Sequence, residues 1–323
     1  MKRVLVLGGS GFVGRALCEQ WAARFGAGGP RLLVPSRRRE RVKHLFPLPT
    51  VDVVQASVHD DHALAGLLSG VDAVVNLVAI LHGSSAQFEQ VHVELPRRLA
   101  QACVKAGVHR LVHVSALGVS EDPAQAPSEY LRTKAEGELA LRAAQPDLAL
   151  TVLRPSVIFG EHDRFLNLFA DLQALAPVMA LAGAQARFQP VWVEDVARAL
   201  VHCLLEPATA GQIIECAGPE VLTLAELVQL AGRASGHARP VWPVPDAVGR
   251  LQAALLGCLP GEPLMSADNL DSMQVPNVAS GRLPGLASLG IEPASVHVIA
   301  PGYLGQGGQG ARRLNRFRAW AGR

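Results

Sequence analysis

The sequence lacks the features that mark secreted, membrane-spanning and nucleic-acid-binding proteins. Its five cysteines are odd in number and lie far apart in apolar segments, which favours reduced core residues over a disulfide or metal framework. No uninterrupted apolar run reaches about 18 residues, and only four apolar residues precede the first glycine pair, too few for the core of a signal peptide. The net charge is only +2, and nearly all of the positive charge is arginine. These absences predict a cytoplasmic protein in a reducing compartment that binds no nucleic acid.

The sequence does contain a regular alternation of short apolar runs and longer segments with helical periodicity. The apolar runs cover residues 4–7, 31–35, 51–56, 71–79, 110–115 and 149–154. Between them, helices are predicted from Phe12, up to about Phe46, from Asp60, up to Gly107 and around Tyr130. Apolar strands separated by helices indicate a parallel sheet that is covered on both faces. The predicted fold class is therefore α/β, with a Rossmann-type doubly wound parallel sheet.

After Gly160 the pattern becomes irregular and rich in proline. Residues 194–206 fit an amphipathic helix, and the segment TLAE, residues 223–226, is a capping box that opens another. We expect a Rossmann domain over residues 1–160, with later segments returning to it, and a smaller C-terminal α/β lobe over residues 161–304. Residues 246–265 are apolar enough to cover a groove or meet a lipid, or else to pack as a lobe helix. Residues 305–323 form a glycine- and arginine-rich tail, either solvated or docked on an anionic surface.

The glycine-rich segment VLVLGGSGFVG follows the first predicted strand. Gly8, Gly11 and Gly14 have the spacing G-x-x-G-x-x-G at the start of a helix, where a pyrophosphate can approach backbone N–H groups and the helix N-terminus. A glycine turn without any ligand gives the same pattern. The position between the first strand and the first helix of a doubly wound sheet favours a nucleotide site.

The end of the second predicted strand bears on the choice of cofactor. An NAD site usually has Asp or Glu there for the ribose hydroxyls, whereas arginine suits a 2′-phosphate. The chain reads PSRRRE from residue 35, with no acidic residue at the strand end. Arg37 and Arg38 are therefore predicted to contact NADP(H), with NAD(H) as the alternative. A solvated basic start of a helix is the structural explanation of the same residues.

Tyr130 and Lys134 form a Tyr-x-x-x-Lys pair. Residues four apart lie on one face of a helix. The ammonium group is expected to lower the pKa of the phenol, which then exchanges a proton with a substrate carbonyl or alcohol, while the lysine also holds the nicotinamide ribose. The pair therefore predicts a reductase-type site with Tyr130 as general acid/base.

Seven segments together carry a resemblance to a known family. They are GGSGFVG, VNLVAIL, LVHVSALG, SEYLRTKAEGE, LRPSVIFGEHDRFLN, RFQPVWVEDVA and AGPEVLTLAEL, within a match that runs from residue 1 to residue 304. On these motifs the chain resembles the atypical, extended short-chain dehydrogenases/reductases of the NAD-dependent epimerase/dehydratase superfamily. Within that group it resembles the NADPH-binding accessory subunit of respiratory complex I and its bacterial relatives.

The resemblance implies a set of cofactor and substrate contacts. The implied cofactor contacts lie in the glycine turn, at the ends of the second, third and fourth strands and around the nicotinamide: Gly8, Ser10, Gly11, Phe12, Val13, Arg37, Ser57, Val58, Leu77, Val78, Ala79, Ser115, Tyr130, Lys134, Pro155, Ser156, Val157 and Ile158. Arg164, Arg187 and Gln189 fall where extended reductases line the substrate cleft. They either bind an anionic or carbonyl-bearing ligand or form structural ion pairs.

Two departures from the family pattern affect the expected function. Ser57 stands where relatives usually carry an acidic residue that accepts from the adenine amino group. Leu117 stands at the usual helper-serine position, so only Ser115 is left to supply a hydroxyl, and only if the turn shifts. Loss of a donor to a developing oxyanion typically costs about two to three orders of magnitude in rate. The cluster SVHDDH, residues 57–62, is interpreted as helix capping and not as a metal site.

Two functions follow from these features. In the first, NADP(H) is structural or redox-sensing, and the protein supports a respiratory or quinone-related process, peripheral at the inner face of a membrane, as the resemblance implies. In the second, the protein is an active NADP(H)-dependent oxidoreductase or epimerase-like enzyme that acts on a hydrophobic carbonyl or quinone substrate. The missing serine favours the first function, whereas the retained Tyr130 and Lys134 favour the second.

Overall fold

The observed secondary structure follows the predicted alternation of strands and helices. A computed structural model describes residues 1–145, 147–257 and 265–305. The strands, in chain order, are β1 (Arg3–Leu7), β2 (Arg31–Ser36), β3 (Val51–Gln55), β4 (Ala73–Asn76), β5 (Arg110–Val114), β6 (Ala149–Pro155), β7 (Ile158–Phe159), β8 (Met179–Leu181), β9 (Arg187–Phe188), β10 (Val191–Trp192), β11 (Ile213–Cys216), β12 (Leu222–Thr223) and β13 (Val241–Pro243). The α-helices are α1 (Phe12–Phe25), α2 (Asp61–Leu68), α3 (Ser85–Glu89), α4 (Leu95–Ala106), α5 (Glu129–Arg142), α6 (Leu166–Leu175), α7 (Val193–Leu205), α8 (Leu224–Ser235), α9 (Asp246–Gly257), α10 (Ala267–Ser272) and α11 (Val296–Leu304).

Seven of these strands form one parallel sheet, in the order β11-β6-β5-β4-β1-β2-β3. The strand β1 pairs with β2 on one side and with β4 on the other, so the chain direction across the sheet reverses there. In doubly wound folds, ligands bind beyond the carboxyl ends of the strands at such a reversal. The order confirms the predicted fold class and places the glycine turn after β1 at the expected binding position. The remaining strands form three short pairs: β10 with β7, β12 with β9, and β13 with β8.

Both faces of the sheet are buried under helices. Val4 and Val6 of β1 pack in a core with residues of α1 and α7, whereas Leu5 and Leu7 pack in a second core with residues of α2, α4 and α5. Alternate residues of a strand point to opposite faces, which explains this division. Since α7 and β11 follow Gly160 in the chain, later segments do return to the sheet. A domain boundary at residue 160 stays a prediction.

Several predicted elements differ in detail from the observed ones. The strand β4 ends at Asn76, because the Asn76 side-chain oxygen accepts a hydrogen bond from the Val78 N–H group (3.2 Å) and turns the chain. The helix predicted up to Phe46 is a 3-10 segment, Arg39–Leu45. The helix predicted up to Gly107 is α3 and α4, joined by a π-helical turn, Gln90–Glu94. The pattern of the sequence did not reveal β11, whose four residues are too few to show a period.

The predicted helix caps are confirmed. The Asp60 carboxylate accepts from the Ala63 N–H group (2.8 Å) at the start of α2, which explains the acidic cluster there. Thr223 and Glu226 form the predicted reciprocal capping box of α8.

Four of the five cysteines are buried and free: Cys18, Cys103, Cys203 and Cys216. The fifth, Cys258, lies outside the described residues, as do residues 258–264 of the apolar segment and residues 306–323 of the predicted tail. Over the described ranges, no helix combines the length and the apolar character needed to cross a bilayer.

Ionisable side chains are buried between the sheet and the helices α4 and α5. His113 of β5 accepts a hydrogen bond at Nδ1 from the Asn76 amide (3.2 Å), and Lys134 donates from Nζ to the Val114 carbonyl (3.0 Å). Burial, with a smaller contribution from Lys134, lowers the pKa of His113 well below its usual value, and burial, Lys134 and His113 lower the pKa of His92 to about 2. Both imidazoles are therefore neutral in the folded protein.

A glycine lets α5 approach the π-helical turn closely. A Cβ atom on Gly137 would lie 2.0 Å from the His92 carbonyl oxygen. We expect Gly137→Ala to destabilise the protein by about 1–3 kcal/mol, because the two backbones must separate. The matched control is Gly66→Ala in α2, where nothing lies within 4 Å of the added atom. There alanine should stabilise by about 0.5–1 kcal/mol. Urea denaturation measures both effects, and a Gly137→Ala protein of wild-type stability would contradict the close contact.

The two neutral histidines predict how stability depends on pH. Their folded pKa values lie below the unfolded value of 6.5, so their contribution is complete above that pH and is lost as the pH falls. Each histidine then contributes a slope of about 1.4 kcal/mol per pH unit, because the unfolded chain binds a proton that the folded chain does not. His113→Asn should make the dependence shallower, because it removes the one proton that His113 binds only in the unfolded chain. Denaturation series between about pH 7 and pH 5 test this expectation, and parallel losses in wild type and His113→Asn would refute it.

Candidate functional site

The glycine turn between β1 and α1 packs backbone against backbone. Gly8 has φ +79°, in the left-handed region, and a Cβ atom there would lie 3.0 Å from the Leu77 carbonyl carbon. A Cβ atom on Gly14 would lie 2.4 Å from the Gly9 Cα atom. The helix α1 begins at Phe12 without a side-chain cap. The turn therefore leaves open N–H groups at the strand-order reversal, an arrangement that suits a phosphate. It also holds the other predicted contacts of this segment, Ser10, Gly11 and Val13.

The segment after β4 lies beside this turn. The Leu77 N–H group donates to the Leu7 carbonyl (2.9 Å), and the Asn76 Oδ1 atom accepts a hydrogen bond from the Val78 N–H group. Leu77 and Val78 are half-buried and Ala79 is exposed. The contacts implied after the first and fourth strands are thus neighbours in space.

Positive charge collects where β2 and β3 end. Arg37 and Arg38 are exposed, and neither forms an ion pair within the part of the chain that the structure describes. Burial lowers the pKa of His59, and the charges of Arg98 and Arg37 lower it further, so both arginines are near that imidazole. Ser57 and Val58 are half-buried here, and Ser57 Oγ accepts from the His59 N–H group (3.4 Å). Arginine side chains in such a position suit a phosphate group.

Tyr130 and Lys134 stand on α5 beside the end of β5. Lys134 is 2% exposed, and burial lowers its pKa to about 8, while the Glu138 carboxylate acts in the opposite direction. Tyr130 is half-buried, and burial, followed by the negative charge of Asp268, raises its pKa to about 12. The expectation that Lys134 lowers the phenol pKa is therefore wrong. The ammonium group is directed to the Val114 carbonyl, and the charge that acts on the phenol is negative.

Asp268 of α10 caps the helix that carries Tyr130. Its carboxylate accepts from the N–H groups of Glu129 (2.7 Å) and Tyr130 (3.2 Å), and Ser128 Oγ accepts from the Leu131 N–H group (3.2 Å). The first three N–H groups of α5 thus all have partners. A segment far along the chain therefore fixes the start of this helix.

The surroundings of Tyr130 are poor in accessible hydroxyl groups. Ser115 is 3% exposed, and its Oγ atom has no hydrogen-bond partner among the described residues. Leu117 is buried, and its N–H group donates to the Pro155 carbonyl (2.9 Å). Tyr130 itself packs against an apolar cluster of Ala116, Val119, Leu131 and Ala135. The Ser115 hydroxyl is therefore closed to solvent, and the side chains that surround the tyrosine ring in this cluster are apolar.

Asn277 braces the turn after β6 that contains Pro155, Ser156, Val157 and Ile158. Its Oδ1 atom accepts from the Val157 N–H group (2.8 Å) and from Ser156 Oγ (2.7 Å), and its Nδ2 atom donates to the Leu117 carbonyl (3.2 Å). Its backbone also pairs with Phe188 of β9. One amide thus joins the turns after β5 and β6, the two segments expected around the nicotinamide.

The three predicted substrate contacts lie in different settings. Arg164 and Arg187 are exposed. The Gln189 amide donates from Nε2 to the Gly218 carbonyl (2.7 Å) and accepts at Oε1 from the Ala279 N–H group (3.0 Å). Since both ends of this amide are occupied, Gln189 is a brace between backbone segments. The substrate contacts of Arg164 and Arg187 stay predictions.

The structure adds three residues to the site that the sequence did not indicate: His92, Asp268 and Asn277. Asp268 lies inside the capping box of α10, which signals a helix start but does not reveal the second helix that this residue caps. Nothing in the local sequence marks Asn277 or His92, because their partners are distant in the chain.

Known proteins resemble the chain in sequence and in fold. The model of the NAD dependent epimerase/dehydratase family matches residues 4–217. The mitochondrial protein NADH dehydrogenase (ubiquinone) 1 alpha subcomplex subunit 9 of Mus musculus is 30% identical over 299 residues, which is 91% of this chain and 77% of that protein. The 2-alkyl-3-oxoalkanoate reductase of Stenotrophomonas maltophilia is 30% identical over 275 residues, 73% of this chain and 77% of that protein. The structure of a dTDP-glucose 4,6-dehydratase from Streptomyces venezuelae, with NAD bound, is 26% identical, has a TM-score of 0.66 and aligns with 76% of this chain and 85% of that one.

These matches confirm the resemblance inferred from the motifs. The mouse relative is by name a subunit of NADH dehydrogenase (ubiquinone), and the solved relative has a similar fold over 76% of this chain. The family model spans the glycine turn, Tyr130, Lys134 and the last strand of the sheet. The chain therefore belongs to the NAD dependent epimerase/dehydratase family.

Proposed function

We propose that this protein binds NADP(H) and that the cofactor is structural or redox-sensing, in support of a respiratory or quinone-related process. The observation that carries the proposal is the contrast within the site. The proposed cofactor framework offers open N–H groups at the start of α1 and Lys134 directed to the end of β5. The Ser115 hydroxyl, the one left to assist Tyr130, is buried. Because Ser115 forms no hydrogen bond with Tyr130, an oxyanion would lack a second donor, whereas the proposed cofactor contacts do not require that hydroxyl.

The residues present fit a dinucleotide, because side chains are missing where a pyrophosphate must approach. A Cβ atom would collide with backbone at Gly14 and would press on Leu77 from Gly8. We assign the phosphates to this turn and the ribose beside the nicotinamide to Lys134, whose ammonium has N–H groups beyond the one used by Val114. The turn braced by Asn277 is proposed to face the nicotinamide ring, which supplies or accepts a hydride when the cofactor is bound.

The proposed preference for NADP(H) rests on this chain's own residues, since the solved relative holds NAD. Arg37 and Arg38 are exposed at the end of β2 and have no ion-pair partner among the described residues. The neighbouring His59 adds a further polar group. A 2′-phosphate would pair with these positive charges, whereas a ribose hydroxyl would not.

The proposed partner is a respiratory assembly, and the proposed location is the cytoplasmic side, peripheral at the inner face of the membrane. The name of the mouse relative, which is similar over 91% of this chain, supports the assembly. A quinone-like or other hydrophobic ligand is part of the same proposal.

An active enzyme is the second candidate, and the Tyr130 phenol favours it. The phenol has no hydrogen-bond partner among the described residues, and its pKa of about 12 keeps it protonated at neutral pH. It would donate its proton to the oxygen of a carbonyl substrate as the carbon receives the hydride. The similar reductase of Stenotrophomonas maltophilia supports this candidate. Arg164 and Arg187 would then contact a hydrophobic carbonyl or quinone substrate.

The first test exchanges the charge at Arg37. Arg37→Asp should weaken NADPH binding by about 1.5–3 kcal/mol, the scale of a charge-assisted contact, and should change NADH binding little. Arg41→Asp, an exposed arginine of the following 3-10 segment, is the matched control and should leave both affinities unchanged. Titrations of the wild type and both variants, followed by nucleotide fluorescence, give the six dissociation constants. Equal losses for both nucleotides, or tighter NADH binding by the wild type, would overturn the NADP(H) assignment.

The second test separates the structural cofactor from the enzyme. Tyr130→Phe removes only the phenolic hydroxyl, so we expect NADPH affinity to fall by about 1 kcal/mol, one hydrogen bond, with no change in any rate of NADPH oxidation. The substrates to assay are quinones, prenylated ketones and nucleotide sugars. Efficient NADPH oxidation by the wild type that Tyr130→Phe abolishes would establish the enzyme instead.

A further inference from the structure

A buried histidine occupies the π-helical turn between α3 and α4. His92 lies in the middle of this turn, Gln90–Glu94, and is 2% exposed. A π-helical turn inserts a residue into a helix at a cost, and such turns are frequent at functional sites. Here the turn directs an imidazole toward α5, the helix of Tyr130 and Lys134.

The hydrogen bonds of His92 define its tautomer. Its Nε2 atom accepts from the Ile80 N–H group (3.1 Å), and its Nδ1 atom lies 3.0 Å from Thr133 Oγ1. Since a backbone N–H group only donates, Nε2 carries no hydrogen, and Nδ1 donates to Thr133. Thr133 in turn donates its hydroxyl hydrogen to the Glu129 carbonyl (2.8 Å). A protonated imidazole would break the bond to Ile80.

The imidazole also touches the tyrosine ring. The His92 and Tyr130 ring centroids are 5.5 Å apart in an edge-to-face arrangement, and Phe88 packs on both rings. Such aromatic pairs stabilise a fold beyond the burial of their area. His92 thus contacts Tyr130 through its ring. Through Nδ1 it contacts Thr133, which directly precedes Lys134.

The backbone of the turn is held against α5 as well. The His92 carbonyl lies so close to Gly137 that a Cβ atom there would be 2.0 Å away. The histidine therefore cannot slide along α5. At its other end it holds Ile80, which directly follows the segment Leu77, Val78 and Ala79 that is proposed to contact the cofactor.

We propose that His92 is a positioning residue, which sets the distance between the segment after β4 and the Tyr130 and Lys134 side chains. It does so through three contacts: the Ile80 N–H group, the Thr133 hydroxyl and the Tyr130 ring. The role rests on the proposed cofactor site, because that site is built from the two segments that His92 joins. Burial and the nearby Lys134 and His113 keep the imidazole neutral, as both hydrogen bonds require.

The experiment uses the full chain and two disruptive substitutions, each with a matched conservative variant. His92→Phe keeps an aromatic ring and loses both hydrogen bonds, whereas His92→Gln offers an acceptor and a donor in their place. Thr133→Val removes the hydroxyl that His92 meets, and Thr133→Ser restores it. NADPH affinity is measured by fluorescence. The position of Tyr130 is followed by NMR of ring-labelled tyrosine, which gives two signals because the chain has two tyrosines.

We expect His92→Phe and Thr133→Val each to weaken NADPH binding about tenfold and to shift or broaden the NMR signal of Tyr130. His92→Gln and Thr133→Ser should stay within about threefold of the wild type. The double variant His92→Phe with Thr133→Val should bind about as well as His92→Phe alone, because both changes remove the same hydrogen bond. The double variant isolates the His92 contact, because the Thr133 hydroxyl also donates to the Glu129 and Tyr130 carbonyls and Thr133→Val alone alters those bonds too.

Three outcomes would overturn the proposal. NADPH affinities of all variants within about twofold of the wild type would do so, as would an unchanged Tyr130 signal in Thr133→Val, or a His92→Gln protein as impaired as His92→Phe. If the wild type itself fails to bind NADPH, the proposed function fails, and the Tyr130 signal still decides the role of His92. If His92→Phe does not fold, the Thr133 pair decides it.

Discussion

Lys134 carries an ammonium group into the space between β5 and α5, where the Val114 carbonyl receives it. A buried charge is costly unless it is paired, and here the Glu138 carboxylate provides the opposing charge, itself held by Arg154 through two hydrogen bonds. This constraint sets the surroundings. Both neighbouring histidines stay neutral, because burial disfavours the charged imidazole and the positive charge of Lys134 disfavours it further. The Lys134–Val114 contact and the Asp268 cap both hold α5, and with it Tyr130.

The phenol shows how far this arrangement departs from a simple lysine–tyrosine pair. Two residues four apart share a helix face, yet the lysine points to the strand end and the tyrosine packs against apolar side chains. The electrostatic influence on Tyr130 then comes from Asp268, which belongs to another helix. Spacing on a helix fixes which residues are neighbours, but the tertiary packing decides which charge each one meets.

The sequence alone predicted the sheet and the glycine turn because both depend on local patterns. The apolar runs give six of the seven strands, and the glycines at positions 8 and 14 stand where a Cβ atom would meet backbone. The caps by Asp60 and Thr223 were equally local.

The sequence did not predict the parts of the site that depend on contacts between distant segments of the chain. Asn277 reaches Val157 across 120 positions and Asp268 reaches Tyr130 across 138, and no local pattern encodes such pairs. The predicted direction of the Tyr130 pKa shift was wrong for the same reason, since Asp268 is distant in the chain. Gln189 was a candidate substrate contact, but its amide is hydrogen-bonded to Gly218 and Ala279, which only the folded structure reveals.

The cap that α10 provides makes the proton on Tyr130 part of a two-way linkage. Docking of Asp268 satisfies two N–H groups of α5 and places a negative charge beside the phenol, which favours the protonated form. Loss of the phenolic proton must then weaken that docking by the same free energy. A molecule that binds α10 in its docked position would therefore raise the pKa of Tyr130 without contacting the tyrosine.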